Sequence, residues 1–161
     1  MDNFSVTQFG KPLDESLYTI DLENKVFSSG EDYLVLDFTG LSGWTLHIGH
    51  NCTLKTANKC TLNTGRDCTF DTCDGCTFQT DNRCTFHTGF NCIFKTGTNC
   101  TFKTGVLCTF DTLNSCTFLL YDINTCKFKS YDGYSIILDR RDNEHYLLTE
   151  EFVQLQKIKN G

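Results

Sequence analysis

The sequence predicts an all-β solenoid of octapeptide repeats, with two octads, or 16 residues, per coil forming two facing parallel sheets between N- and C-terminal caps. Three observations lead there. An eight-residue phrase, Cys-Thr-Phe-x-Thr-Gly-x-Asn with variations, recurs nine times without insertion from Cys52 to Phe118. A fixed short period is the signature of stacked repeats. Within the phrase the letters alternate, so cysteine and the Phe two residues on share one face. The variable site between them and the next turn holds Lys55, Asn63, Asp71, Gln79, His87, Lys95, Lys103 and Asp111, which makes its own face the wet one.

The inward set is therefore Cys52, Cys60, Cys68, Cys76, Cys84, Cys92, Cys100, Cys108 and Cys116 with Phe70, Phe78, Phe86, Phe94, Phe102, Phe110 and Phe118. The Thr53, Thr61 and Thr69 series points outward. Gly65, Gly89, Gly97 and Gly105 mark the bends. Ordering one octad costs about 12 kcal/mol at about 1.5 per residue, and burying one Phe returns about 1.5 to 3 kcal/mol. No octad stands alone, and stability comes from neighbours. Two octads per turn fill a layer about 10 Å thick, whereas a triangular 24-residue coil would be poorly filled by one small and one large side chain per strand.

Upstream, residues 1–35 read as an N-terminal cap region, acidic and weakly patterned. Leu17 to Leu22 alternates like a strand, and Asp21 is placed to open a helical turn. Counting back in eights from Cys52 sets Leu36 and Trp44 at the cysteine site, with Phe38 and Leu46 at the Phe site. The solenoid is assigned to 36–130, with a break at Leu119 to Ile123, Cys126 ten residues after Cys116, and Tyr134 and Ile136 resuming the register. Residues 131–161 read as a C-terminal β-hairpin cap, in which Tyr134 to Leu138 and His145 to Leu148 are strands and Thr149 to Lys159 is a strand or a short helix.

Charge and cysteine usage narrow the function. Residues 1–48 hold two lysines against eight carboxylates, while 49–120 hold six basic and five acidic residues, so the repeat is nearly neutral. Such a surface makes nucleic acid an unlikely partner. No apolar run is long enough for a membrane helix and Met1 to Gly10 has no cationic leader, which predicts a soluble chain without membrane association. Eleven cysteines would suit a disulfide scaffold, but the count is odd. Stacked neighbours lie about 4.8 Å apart, whereas a disulfide needs Cβ atoms about 3.8 Å apart, so reduced core thiols are expected.

Chemistry-bearing patterns are sparse. Cys73-Asp74-Gly75-Cys76 is a lone C-x-x-C whose second cysteine belongs to the core series. His47, His50, His87 and His145 are scattered without triad-like partners. No catalytic, cofactor-binding or metal-binding residue is assigned, and the expected cofactor list is empty. The threonine ladder invites comparison with ice-binding solenoids, but the row beside it is charged and irregular. The sharper signal is at the bends, where Phe90 and Val106-Leu107 stand 16 positions apart and stack on one edge of a two-octad coil. A contiguous exposed apolar patch predicts a partner surface, most simply a homo-oligomer. Phe90, Val106 and Leu107 are the candidate interface.

The runs Asn51-Cys52-Thr53-Leu54-Lys55-Thr56, Arg66-Asp67-Cys68-Thr69-Phe70-Asp71-Thr72 and Asn91 through Gly105 resemble the Cys-Thr-Phe octapeptide-repeat proteins of marseillevirus-type giant DNA viruses. Gly133 through Asp142 looks like a variant of that family's Gly-Cys-Val-Val-Ile-Arg-Arg-Asp cap, with Tyr134 in place of cysteine and an insertion before Arg140-Arg141. The likeness covers about residues 36–142. It implies a β-solenoid of the host cytoplasm or virion, serving a virion or viral factory, and it carries over no activity and no functional residues. The expected function is that of a non-enzymatic structural or interaction protein assembling through its edge or caps, with virion or host proteins as further partners. The alternative is a recognition module binding a host protein, glycan or nucleic acid through its faces.

Overall fold

A computed structural model of the chain describes residues 4–122, 125–130, 135–140, 144–148 and 155–157. Each octad contributes one strand of three or four residues running from its first to its second threonine, and each Cys stands at the corner just before its strand. Strands β7 (Thr53–Thr56), β9 (Thr69–Thr72), β11 (Thr85–His87), β13 (Thr101–Thr104) and β15 (Thr117–Leu120) stack in parallel in one sheet, here sheet A. Strands β8 (Thr61–Thr64), β10 (Thr77–Thr80), β12 (Ile93–Thr96) and β14 (Thr109–Thr112) form the facing sheet B. Phe70 lies beside Phe86, and Phe86 beside Phe102, 16 residues on each time, so two octads make one coil.

The core follows from the alternation. Rings stack along each sheet, Phe86 on Phe102 at 4.8 Å and 4°, and meet the opposite sheet edge-on, Phe86 to Phe94 at 5.2 Å and 76°. That interleaving combines the two favourable aromatic geometries and leaves Phe70, Phe78, Phe86, Phe94, Phe102, Phe110 and Phe118 fully buried. The second threonine of the octad also points inward: Thr56, Thr72, Thr96, Thr104 and Thr112 are buried.

The parallel stack extends beyond the cysteine phrase at both ends. In sheet A it includes β5 (Leu34–Phe38), and in sheet B β4 (Val26–Ser28) and β6 (Thr45–Ile48), so the first rung lies at Val26, ahead of Leu36. The register of the first coils is corrected. Leu36 pairs with Leu54 and Phe38 with Thr56, so Leu36 fills the Phe site and Phe38 the inner threonine site, two residues away from the octad count. The cause is a longer bend at 39–43, where Gly40 and Gly43 adopt φ of 90° and 76° and the Leu41 amide donates to the Phe38 carbonyl at 3.0 Å. Trp44 and Leu46 do occupy the Cys60 and Leu62 sites, as Thr45 pairs with Thr61.

Antiparallel segments close the ends. At the N-terminus, β1 (Ser5–Gln8) pairs with both β2 (Lys11–Pro12) and β5, while β3 (Thr19–Asp21) pairs with β4. Asp21 caps the β3–β4 turn through the Asn24 amide rather than opening a helix. A plug of rings, Phe4 on Phe38 at 5.0 Å and Phe38 edge-on to Trp44 at 5.4 Å, covers the first coil. At the other end β16 (Lys127–Ser130) sets Phe128 on Phe110, which confirms the two-residue insertion before Cys126. Strand β17 (Ser135–Asp139) then sets Ile137, not Ile136, on Phe118, one residue later than counted. Strands β18 (Glu144–Leu148) and β19 (Leu155–Lys157) add to it antiparallel. Tyr131 and Tyr134, read as parts of the cap, lie outside the described residues.

Candidate functional site

Each regular bend is three residues long, and its geometry is set by the position just before each cysteine. Asn51, Lys59, Asp67, Gly75, Arg83, Asn91, Asn99, Leu107 and Ser115 all have φ between 56° and 69°. Left-handed backbone costs a non-glycine residue about 1 to 2 kcal/mol, least for Asn and Asp. The first bend position is a different matter. Gly65, Gly97 and Gly105 are there because a side chain of the preceding coil lies over them: His50, Asn82 and Phe90 respectively. Where that side chain is polar it also accepts the next amide, as Asn82 Oδ1 does from Thr98 at 2.8 Å and Asp74 Oδ1 from Phe90 at 2.8 Å.

A prediction follows for Gly97→Ala. The new methyl occupies the place of the Asn82 carboxamide, so the Thr98 amide loses its acceptor, at a cost of about 1 to 3 kcal/mol in chemical denaturation. Adding Asn82→Ala removes the clash, so the double variant is expected to lose less than the sum of the two single losses. Strict additivity would show that the two residues do not interact.

The thiols hold the bends from inside. Cys84 Sγ donates to the carbonyls of Gly65 at 3.5 Å and Asn82 at 3.6 Å, and Cys100 Sγ to those of Asp81 and Thr98, both at 3.6 Å. The cysteines are thus small spacers with a donor, a role that neither alanine nor valine supplies. Hydrogen bonding with thiols of adjacent coils, and burial, push Cys52, Cys60, Cys84 and Cys116 above the ordinary thiol value. Cys73 is the exception, exposed at a first bend position, while its C-x-x-C companion Cys76 is buried. In a native thiol titration at neutral pH, Cys73 is expected to react fast, half-buried Cys126 slowly, and the nine ladder thiols only on unfolding. Fast reaction of more than two thiols would show that the ladders open.

The two edges of the solenoid differ. On the edge leading from sheet B to sheet A, Arg83 makes a two-pronged ion pair with Asp67, at 2.6 and 2.7 Å, which holds the Asp67 carboxyl below its usual range. The opposite edge, from sheet A to sheet B, turns apolar in its C-terminal half. Phe90 is 49% exposed, Leu107 55% and Tyr121 58%. Val106 is half-buried beside them. The three residues singled out from the sequence are therefore on one edge in consecutive coils, and the Phe90 ring packs 2.5 Å from the place a Cβ on Gly105 would take. Tyr121 was missed, although counting 16 from Gly105 reaches it.

An open groove of about 830 Å³ runs along this edge onto sheet A, lined by Asp71, His87, Phe90, Lys103, Val106 and Tyr121 among others. Of the histidines, His87 faces this groove, His47 shares a 3.4 Å contact with Asn63 on sheet B, and His50 Nδ1 accepts the Arg66 amide at 3.0 Å. The described residues do not bring them together. Compared with protein-family models, with curated proteins and with solved structures, the chain has no match in any of the three.

Proposed function

We propose that the chain is a non-enzymatic structural protein that assembles through its apolar edge, in the virion or factory setting that the octad phrase suggests. The supporting observation is Leu107, an exposed leucine at a left-handed position, φ 62°, where asparagine or aspartate stands in several other bends. A branched apolar side chain is the costly choice there on both counts, strained backbone and exposed surface. Its neighbours Phe90, Val106 and Tyr121 extend the same surface over successive coils. Apolar patches of this kind are partner sites.

The test uses that conflict. Leu107→Asn relieves the backbone and is expected to raise the stability of the isolated chain by about 1 kcal/mol, while weakening association seen by sedimentation. Phe90→Asp is expected to weaken association without a gain in stability. If wild type and Leu107→Asn have the same mass at every concentration, the edge is not an assembly surface.

A further inference from the structure

Resting on that reading, we infer that the partner is a second copy of this chain, docked antiparallel through the outer face of sheet A about a two-fold axis that runs along β11 at His87. The outer face carries two rows. One is an unbroken column of threonines, Thr53, Thr69, Thr85, Thr101 and Thr117. The other, reading along the stack, is Asp37, Lys55, Asp71, His87, Lys103 and Leu119. A uniform threonine column makes the face flat, and the second row gives it a charge pattern.

At its centre that pattern matches its own reversal. An axis parallel to the strands and lying in the interface turns the second copy over, so the rung above the axis meets the rung below it. Centred on β11, the axis sets Asp71 against Lys103 of the second copy and Lys103 against its Asp71. It also lays the Lys55 stem along Leu119 of the second copy, as long cationic side chains do on apolar surface. Both A-to-B edges stay on the same side, so Phe90 meets its own image across the axis, while Val106 of each copy faces the Cys73-Asp74 bend of the other. The contact is isologous and closes at two.

Other registers and faces do worse. Moving the axis by one and a half rungs, to lie between β7 and β9, pairs Lys55 with Asp71 but carries Lys103 out over cap strand β1 and moves Phe90 off its image. On sheet B, Ile93 interrupts the threonine column, and Asp111 is already paired with Lys129 at 3.6 Å. Seven parallel rungs, from β5 to β17, at about 4.8 Å and four residues at about 3.3 Å give a face of about 450 Å² per copy before the edge is added. That is small for a permanent complex, so the dimer dissociates on dilution.

The experiment is sedimentation across a concentration series. Lys103→Asp opposes two carboxylates at two symmetry-related places and is expected to weaken the dimer about tenfold or more. Asp71→Lys combined with Lys103→Asp restores the pairing to within about threefold of wild type. In a Cys73→Ser background, His87→Cys sits on the axis and is joined to its image by a short bifunctional thiol reagent that spans the roughly 10 Å between facing sheets, whereas Lys55→Cys, four rungs from its image, is not. A wild type that is monomeric throughout overturns both this inference and edge assembly. If Phe90→Asp dissociates the dimer while the charge exchange is inert, or if Lys55→Cys crosslinks and His87→Cys does not, edge assembly stands and this axis is overturned.

Discussion

Phe94→Ala is expected to cost about 5 kcal/mol in chemical denaturation, at the upper end for a buried aromatic. Its ring stacks on Phe78 and Phe110, both at 4.9 Å, and meets Phe86 and Phe102 edge-on at 5.2 and 5.1 Å. Four ring contacts are lost, each contributing about 0.5 to 1.5 kcal/mol beyond burial, and the strands cannot collapse into the gap because the bends above and below are hydrogen-bonded to one another. A solenoid couples only nearest neighbours. The gap is therefore also expected to split the single transition into two, as the coils before and after it unfold separately. Phe94→Leu is the control. Leu36, Leu46, Leu54 and Leu62 fill this site in the first coils, and Leu54 stacks directly beside Phe70. It should therefore cost about 1.5 kcal/mol or less. A loss under about 2 kcal/mol for Phe94→Ala would show a core that repacks freely.

The period and the inward Cys and Phe rows were legible because repetition and side-chain alternation are displayed directly by a sequence, and the two-octad coil because one small and one large side chain per strand fill only a thin layer. What was not legible lies in the bends. The octad count placed Leu36 at the cysteine site because nothing in Thr39-Gly40-Leu41-Ser42-Gly43 announces that this bend is two residues longer. The glycines look like turn residues, yet Gly65, Gly97 and Gly105 are there to admit a side chain from the previous coil, while the left-handed site is held by Asn51, Lys59, Arg83 or Leu107. The thiol's bond to the bend carbonyl spans 19 residues, as from Cys84 to Gly65 and Cys100 to Asp81, and no local pattern signals it. At the candidate edge, Phe90, Val106 and Leu107 stood out as departures from polar letters. Tyr121 did not, because it falls where the register breaks.

Excising residues 77–92, one whole coil, is expected to leave a shorter but intact solenoid, whereas excising 79–93, one residue fewer, is expected to prevent folding. The first deletion joins Cys76 to Ile93. Phe94 then stacks on Leu62 and Phe102 on Phe70, as each strand takes the place of one 16 residues earlier. The new bend contacts are sound as well: Asp74, which now lies over Gly89, comes to lie over Gly105 and can accept the Val106 amide. Far-UV circular dichroism per residue should be unchanged and denaturation cooperative, with the denaturant slope reduced by about a tenth, in proportion to chain length. The second deletion joins Phe78 to Phe94 and turns every later residue of that strand to the opposite face, with Lys95 pointing into the core. Bends could only rescue it by giving up a residue. They lengthen, as at 39–43, but among the described residues none linking two octads is shorter than three. A 15-residue excision that folded as stably as the 16-residue one would show that the bends, and not the facing of Cys and Phe, set the register.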